Sequence, residues 1–491
     1  MDSDPIAGHP ATAPALFEGE RTITYGELRD IVGRTAGGLT GGGVGPGDRV
    51  AVVSDNELTF VTGVLAALSV GATACPLPAS SPDEVLVTRL ADVEPTAVLV
   101  SPAATELGVA CRDHVLVEAG LVGHPAGSPS SDLPTIEAAS PMPAVPVDLT
   151  APAVILHTSG IIGAPRAAVL THHNLRAAQD RMIAYGAGLD ASAVGFGALP
   201  FNHVMGLNVL LLTHLRVGAS LVLQARWNPV SALELVERHR VTSIVAVPPM
   251  WSSWADVAGE ASGAMQSVTF ARTGASTLHP DVADAVYDSF GIELAQGYGL
   301  TETAGTVTME PAARRHPGSV GRPLPGVELR LVEDGEPVQP GDRGEIWVRT
   351  DSVFEGYLDD PVATAEVLLA DGWCRTGDVG IQDDDGTLYL VGRSKDLINV
   401  SGFNVAPVEV ESVLQQHESV SAAVVVGEPD PVSGERVAAF VTLVPGATVA
   451  PEALIEHCRG RLSGYKVPSS VRVVDRLPLT AIGKRVRAQL R

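Results

Sequence analysis

Short apolar runs that read as strands alternate with longer runs of helical periodicity, and this restricts the fold more than any other feature of the chain. In the first series, Ile23-Thr24-Tyr25 leads into a helix near 26–39. A glycine-rich turn (41–47), a strand near 49–54, a helix near 58–70 and a strand near 73–76 follow. Residues 122–152, rich in Pro, Ser and Ala, read as a surface connection. A second series then places strands near 153–157, 220–223, 244–247 and 268–273. Strands alternating with helices predict parallel α/β sheets. After Arg322 the pattern changes to short β segments near 327–332, 345–349 and 387–391. The last stretch reads as a compact α+β unit, with a helix near 407–416 and strands near 422–426 and 437–443. The expected architecture is α/β: a large N-terminal domain of two α/β subdomains plus a small β-barrel-like subdomain, then a small mobile α+β C-terminal domain.

The chain of 491 residues is long enough for several cores. Its 33 Lys+Arg against 57 Asp+Glu leave a net charge of −24, which argues against a nucleic acid polymer as partner. A small anionic substrate therefore needs local cations. The cysteines (Cys75, Cys111, Cys374, Cys458) form no CxxC pair and read as reduced thiols. The apolar runs near 61–77 and 204–223 are broken by Gly63, Gly71 and Pro76, and by His214 and Arg216. They read as buried core rather than a membrane span. With no apolar signal core at the start, a cytoplasmic location is expected.

Chemistry is concentrated in a few segments. Leu156-His157-Thr158-Ser159-Gly160-Ile161-Ile162-Gly163-Ala164-Pro165-Arg166 lies between an apolar run and a helical one. Its small residues let backbone N–H groups converge on phosphate oxygens, although it does not fit a Walker loop. Gln296-Gly297-Tyr298-Gly299-Leu300-Thr301-Glu302 supplies an aromatic face, two hinge-like glycines, a hydroxyl and a carboxylate. Trp373-Cys374-Arg375-Thr376-Gly377-Asp378, Gly392-Arg393-Ser394-Lys395-Asp396 and Leu477-Pro478-Leu479-Thr480-Ala481-Ile482-Gly483-Lys484 follow in that order. Each alone reads equally well as a surface turn; their order makes coincidence a poor account.

On these segments the chain resembles the adenylate-forming (AMP-binding) superfamily, closest to its acyl-CoA synthetase and aryl-CoA ligase branch. Thr24-Tyr25-Gly26-Glu27-Leu28, Leu199-Pro200-Phe201-Asn202-His203-Val204-Met205-Gly206-Leu207 and Ser401-Gly402-Phe403-Asn404-Val405 extend the resemblance over nearly the whole chain. It implies an N-terminal domain at 1–391, a hinge at 392–396 around Lys395, and a mobile C-terminal domain at 397–491 carrying the catalytic Lys484. The implied reaction activates a carboxylic acid with ATP as an acyl-adenylate, releases pyrophosphate and passes the acyl group to a thiol.

The resemblance also implies roles for residues. Tyr298 stacks on adenine against Gly274-Ala275, with Ser276 and Gly297 beside it, and Gln296 bonds the exocyclic amine. Asp378 accepts the ribose hydroxyls, and Arg393 reinforces them. Thr158, Ser159, Gly160, Gly163 and Arg166 hold phosphates, and Thr301 the α-phosphate. Glu302 binds Mg²⁺, a hard cation that prefers oxygen. His203, Val204, Met205, Met250 and Gly299 form the acyl pocket, with His203 at its entrance as a further catalytic group. Gly402 lines the CoA tunnel. ATP, Mg²⁺ and CoA are the implied cofactors, with a carrier protein as the alternative acceptor. Two other readings remain open: a specialised adenylating enzyme using a carrier protein or a non-thiol acceptor, and a non-catalytic nucleotide- or acyl-binding homologue.

The match departs from the family's phosphate loop, which reads Thr-Ser-Gly-Thr-Thr-Gly-x-Pro-Lys-Gly. Here Ile161 and Ile162 replace the central hydroxyl residues, Arg166 the lysine and Ala167 the last glycine. Val204 stands where amino-acid-activating members carry an aspartate, which points away from α-amino acids.

Overall fold

The computed structural model describes residues 4–104, 121–123, 140–158, 166–185, 189–276, 278–311, 316, 318–393, 396–400, 403–431, 433–478 and 490. Three sheets organise them. The first runs Gly356–Tyr357, Ala167–Thr171, Pro152–His157, Thr73–Leu77, Arg49–Val53, Ala97–Val100, Leu121–Gly123. It is parallel from Pro152–His157 onward, while Ala167–Thr171 pairs antiparallel at its edge. Val50, Ala51, Val52 and Val53 are all fully buried, as expected of a strand with a layer on both faces.

Helix starts follow local chemistry. Thr24 and Glu27 form a reciprocal capping box at the start of Tyr25–Gly41, and Thr171 with Asn174 does the same for His172–Ala184. Each such cap is worth about 1 kcal/mol. Leu58–Ser69 is apolar around most of its circumference and lies buried.

Strand allocation differs from the sequence reading in two places. The strand expected to open the second series, Pro152–His157, instead joins the first sheet, with Val154 paired to Ala74. The N-terminal strand Pro14–Glu18, not singled out from sequence, pairs in parallel with Ser220–Leu223 near the far edge of the second sheet. Both pairings are long-range, and hydrophobic periodicity carries no information about partners. The expected connection at 122–152 also contributes strand residues at each end.

The second sheet is parallel through Ser220–Leu223, Val194–Gly197, Ser243–Ala246, Phe270–Thr273 and Ala295–Leu300. It then continues without a break into antiparallel strands: Gly305–Met309, Ser319–Pro323, Leu388–Arg393, Cys374–Gln382, Arg343–Arg349 and Glu328–Glu333. The small β subdomain is thus hydrogen-bonded onto the second α/β sheet through one shared strand, Ala295–Leu300. The third sheet, built from Ile398–Val400, Phe403–Val405, Gly434–Leu443, Val420–Asp430 and Ser470–Val473, has its own buried cluster with Pro407–Gln415 and Pro451–Arg459.

The apolar run near 204–223 becomes a π-helix, Met205–Leu212, a short helix Thr213–Val217, a left-handed Gly218 and a strand. Among the described residues no helix is long and apolar enough to cross a membrane. Cys75, Cys374 and Cys458 are buried free thiols, and Cys111 lies outside the described residues.

Two buried imidazoles make stability acid-sensitive. Burial, aided by Arg89, lowers the His157 pKa to about 4, and burial lowers that of His214 to about 4. Both stay neutral in the fold while the unfolded chain takes up protons below the usual histidine value. Their contribution is therefore complete above pH ~6.5 and falls away as the pH drops toward ~4. The melting temperature is expected to fall steadily across that window. A His157→Gln variant should show a shallower decline, and an unchanged slope would sink the assignment.

Candidate active site

The shared strand Ala295–Leu300 is the seam on which the site is built. It pairs in parallel with Phe270–Thr273 on one side and antiparallel with Gly305–Met309 on the other. Gly297 and Gly299, expected as hinge-like, are instead needed for close packing. A Cβ on Gly299 would stand 2.0 Å from the Gly305 carbonyl oxygen, and one on Gly297 would stand 2.7 Å from Met309 Cε. At Gly299 the obstacle is backbone, so only glycine lets these strands approach so closely, whereas at Gly297 it is the movable end of Met309.

At one side of the seam the chain leaves Phe270–Thr273 through Gly274, Ala275 and Ser276. Ala275 has φ +65°, a left-handed turn uncommon outside glycine. Gln296 Nε2 donates to the Ser276 carbonyl at 3.2 Å, tying the turn to the strand. The expected adenine residues Gly274, Ala275, Ser276, Gln296 and Gly297 are thus neighbours.

Tyr298 reaches the small β subdomain. Its hydroxyl donates to Asp378 Oδ2 at 2.8 Å, and Arg393 Nε meets Asp378 Oδ1 at 3.0 Å. Asp378 and Arg393 face each other across paired strands, which fixes the geometry. Asp378 is 8% exposed, so this is a charge pair largely removed from water. Burial, with the Asp378 charge, pushes the Tyr298 phenol well above its usual value. Burial works against the Arg393 cation, but Asp378 together with Tyr298, Glu302 and Asp396 outweighs it and raises the guanidinium pKa. The Tyr298 ring packs in the cluster of Val307, Val320 and Ile346. This adds a buried anchoring role to the stacking role expected of it.

At the phosphate-loop end, Thr158 N–H donates to the Arg166 carbonyl at 2.8 Å, and Arg166 N–H donates to Thr158 Oγ1 at 3.3 Å. These bonds hold the end of Pro152–His157 to the start of Ala167–Thr171. Ser159, Gly160, Ile161, Ile162 and Gly163 lie outside the described residues, as do Lys395, Gly402 and Lys484. Arg166 lies over the Tyr357 ring at 5.2 Å and 3.9 Å from Asp360. The Tyr357 hydroxyl in turn donates to Glu302 Oε1 at 2.7 Å. Burial and the Glu302 charge raise the Tyr357 pKa, so it remains a donor. Arg166, Tyr357 and Glu302 therefore form one relay linking the loop to the seam. Thr301 begins the short turn Thr301–Thr303 that carries Glu302.

A metal at Glu302 would have one carboxylate, with Oε1 already accepting a hydrogen bond from the Tyr357 hydroxyl, beside the half-buried Thr301. No group of three or more His, Cys, Asp or Glu among the described residues could cage an ion. One oxygen ligand of this kind fits Mg²⁺, which keeps its waters and travels on substrate phosphates.

At the acyl end, His203 and Val204 precede the π-helix Met205–Leu212. Met205 lies against Gly274, since a Cβ there would come within 3.4 Å of the Met205 methyl. Met250 and Trp251 are buried on Pro248–Asp256, and Trp251 Nε1 donates to the Arg272 carbonyl at 3.1 Å. Two residues of this region were not singled out from sequence. Tyr357 sits outside every motif, and Arg272 stands in an unremarkable apolar run just before Gly274.

An AMP-binding enzyme family model matches residues 4–358, and its C-terminal domain model matches 409–484. The chain is 35% identical over 483 residues to a feruloyl-CoA synthase of an Amycolatopsis species, covering 98% of this chain and 95% of that one. It is 32% identical over 510 residues to an oxalate–CoA ligase of Arabidopsis thaliana, covering 99% and 97%. Among solved structures, ATP-bound MatB of Rhodopseudomonas palustris superposes with a TM-score of 0.93 at 29% identity, covering 100% and 98%. The apo form of MatB gives 0.80 at 28% identity with the same coverage.

Proposed function

The chain belongs to the AMP-binding enzyme family, and on that premise we propose that it activates a carboxylic acid with ATP and transfers the acyl group to CoA. The observation that carries this reading is the Tyr298–Asp378–Arg393 constellation on the seam that also carries Gln296 and Glu302. The test is acid-dependent ATP–pyrophosphate exchange across a panel of acids, followed by CoA-dependent release of AMP. Exchange with no acid, by a protein that still binds ATP, would overturn the reading.

In the first half-reaction a carboxylate oxygen attacks the α-phosphorus, the bond to the bridging oxygen breaks, and pyrophosphate leaves. The turn 274–276 and Gln296 accept the adenine, and Asp378 accepts the ribose hydroxyls while Arg393 holds that carboxylate in place. Glu302 and Thr301 stand where the phosphates enter, and Arg166 offers a cation at the exit of the phosphate loop. Mg²⁺, when bound, neutralises phosphate charge. Lys484 supplies the cation that meets the growing negative charge between acid and AMP. In the second half-reaction the CoA sulfur attacks the acyl carbon, forming the thioester and releasing AMP. Gly402 lines its approach, and Lys395 is the pivot about which the small domain turns. A carrier-protein thiol is the alternative acceptor, with no observation in its favour.

The Tyr357 contact makes a separate prediction. Removing its hydroxyl leaves Glu302 without the donor that orients it, and loss of such an orienting partner typically weakens metal binding about 10-fold or more. Tyr357→Phe is expected to raise the Mg²⁺ concentration giving half-maximal exchange by that factor at an unchanged melting temperature. An unaltered Mg²⁺ titration would exclude this role.

A further inference from the structure

Arg272 is a charged side chain buried without an anionic partner. It is 2% exposed, and its Nε has no hydrogen-bond partner. Its guanidinium lies over the Phe270 ring at 3.7 Å and the Tyr185 ring at 5.3 Å, and Nη1 reaches only the weak acceptor Met182 Sδ at 3.7 Å. Aromatic faces attract a cation, but they leave its in-plane N–H donors unused. Burial lowers the guanidinium pKa to about 9, which still leaves it protonated at neutral pH. A fold does not gain stability from such a group: an unpaired buried charge is among the costliest things a core can hold. Any apolar residue of similar size would be cheaper here.

Its position says what the cation faces. Arg272 lies in the strand Phe270–Thr273, and Gly274 directly follows that strand, two residues on and roughly 7 Å away. Gly274 is covered by the Met205 methyl, and Arg272 by Met182. An acid seated at Val204, Met205 and Met250 would then point its far end toward the guanidinium. Both covering groups are methionines, whose unbranched thioethers swing aside at little cost. Among the described residues, the groups nearest this cation are aromatic or thioether, and Glu310 is engaged with His316 N–H and the Ser319 hydroxyl instead.

We propose that Arg272 anchors a second anionic group at the far end of the acid, so that the substrate class is a carboxylic acid bearing a distal carboxylate or sulfonate. The inference rests on the acyl-adenylate reading and deepens it. The incoming anion would supply the in-plane acceptors that the guanidinium lacks, and a desolvated ion pair at the end of an apolar pocket discriminates strongly against neutral acids.

The test is pyrophosphate exchange with matched acids: a dicarboxylate, its monomethyl ester and the corresponding ω-sulfonate, in an aliphatic and an aromatic series. The wild-type protein is expected to favour the doubly anionic acids, the sulfonate arm showing which head group fits better. Arg272→Met should lower kcat/KM for those acids about 100-fold and invert the preference toward the monoester. Arg272→Lys should recover part of the preference. The melting temperature of Arg272→Met should rise, because relief of a buried unpaired charge stabilises the fold. Exchange by the wild type that favours monoesters overturns the inference and leaves the acyl-adenylate reading standing. So does an equal loss for all acids in Arg272→Met. Exchange with no acid at all overturns both.

Discussion

An Asp378→Ala variant is expected to lose about 100- to 1000-fold in kcat/KM for ATP while its KM for the acid changes little. Asp378 is proposed to receive two ribose hydroxyls, and hydrogen bonds to a charged group are worth about 1.5–3 kcal/mol each. Two such bonds amount to about 3–6 kcal/mol, and the stated range lies at the lower end of that sum. The carboxylate has structural duties as well: it takes the Tyr298 phenol at 2.8 Å and Arg393 Nε at 3.0 Å. Alanine leaves a buried phenol and a largely buried guanidinium without their partner, a loss of about 3 kcal/mol or more in stability. Asp378→Asn separates the two effects, because an amide oxygen can still accept from Tyr298 while the charge is gone. The asparagine variant should keep most of the melting temperature and still lose the larger share of ATP specificity. If both variants retain wild-type kcat/KM for ATP, the ribose assignment is wrong.

The same constellation shows which parts of the site the sequence made legible. Gln296, Tyr298, Thr301 and Glu302 fall within seven consecutive positions, so their spacing was visible directly. Asp378 and Arg393 were recognisable as motifs, but not as a pair, because their contact depends on two strands meeting antiparallel in the small β subdomain. Element types fared better than partners for the same reason. The strand at 49–53 and the helix Leu58–Ser69 emerged from periodicity, whereas the placement of Pro152–His157 in the first sheet and of Pro14–Glu18 in the second did not. A hydrophobic pattern encodes which face is buried, and it is silent about which neighbour buries it.

Arg272 and Tyr357 show a second limit. Neither has a distinctive local context: one is flanked by Ala271 and Thr273, the other by Gly356 and Leu358. Their significance appears only when burial and partners are known, the first as a cation with no anion, the second as the phenol between Arg166 and Glu302. A charged residue inside a strand between apolar neighbours was the available signal for Arg272. The glycines failed in the opposite direction. Gly297 and Gly299 look like hinges in sequence, yet the space beside each is filled by Met309 and by the Gly305 backbone.

Lys484→Ala is expected to separate the two half-reactions. The last strand of the third sheet ends at Val473, and beyond it Leu477 and Leu490 both pack on the cluster of Val424, Val426, Ala438 and Phe440. The residues flanking the Lys484 segment thus both contact the third sheet, and under the proposed mechanism the position of the small domain decides whether the lysine reaches the nucleotide. A fixed cation acting on charge that develops in the transition state contributes roughly 100- to 1000-fold in rate. Exchange should fall by that factor with little change in the KM for ATP. Thioester formation from a supplied acyl-adenylate and CoA should persist within about 3-fold, since no charge then builds at phosphorus for the lysine to meet. Equal losses in both assays would mean that Lys484 serves the fold of the small domain rather than the adenylation step. Loss of thioester formation alone would place it on the thiol side and reverse the assignment.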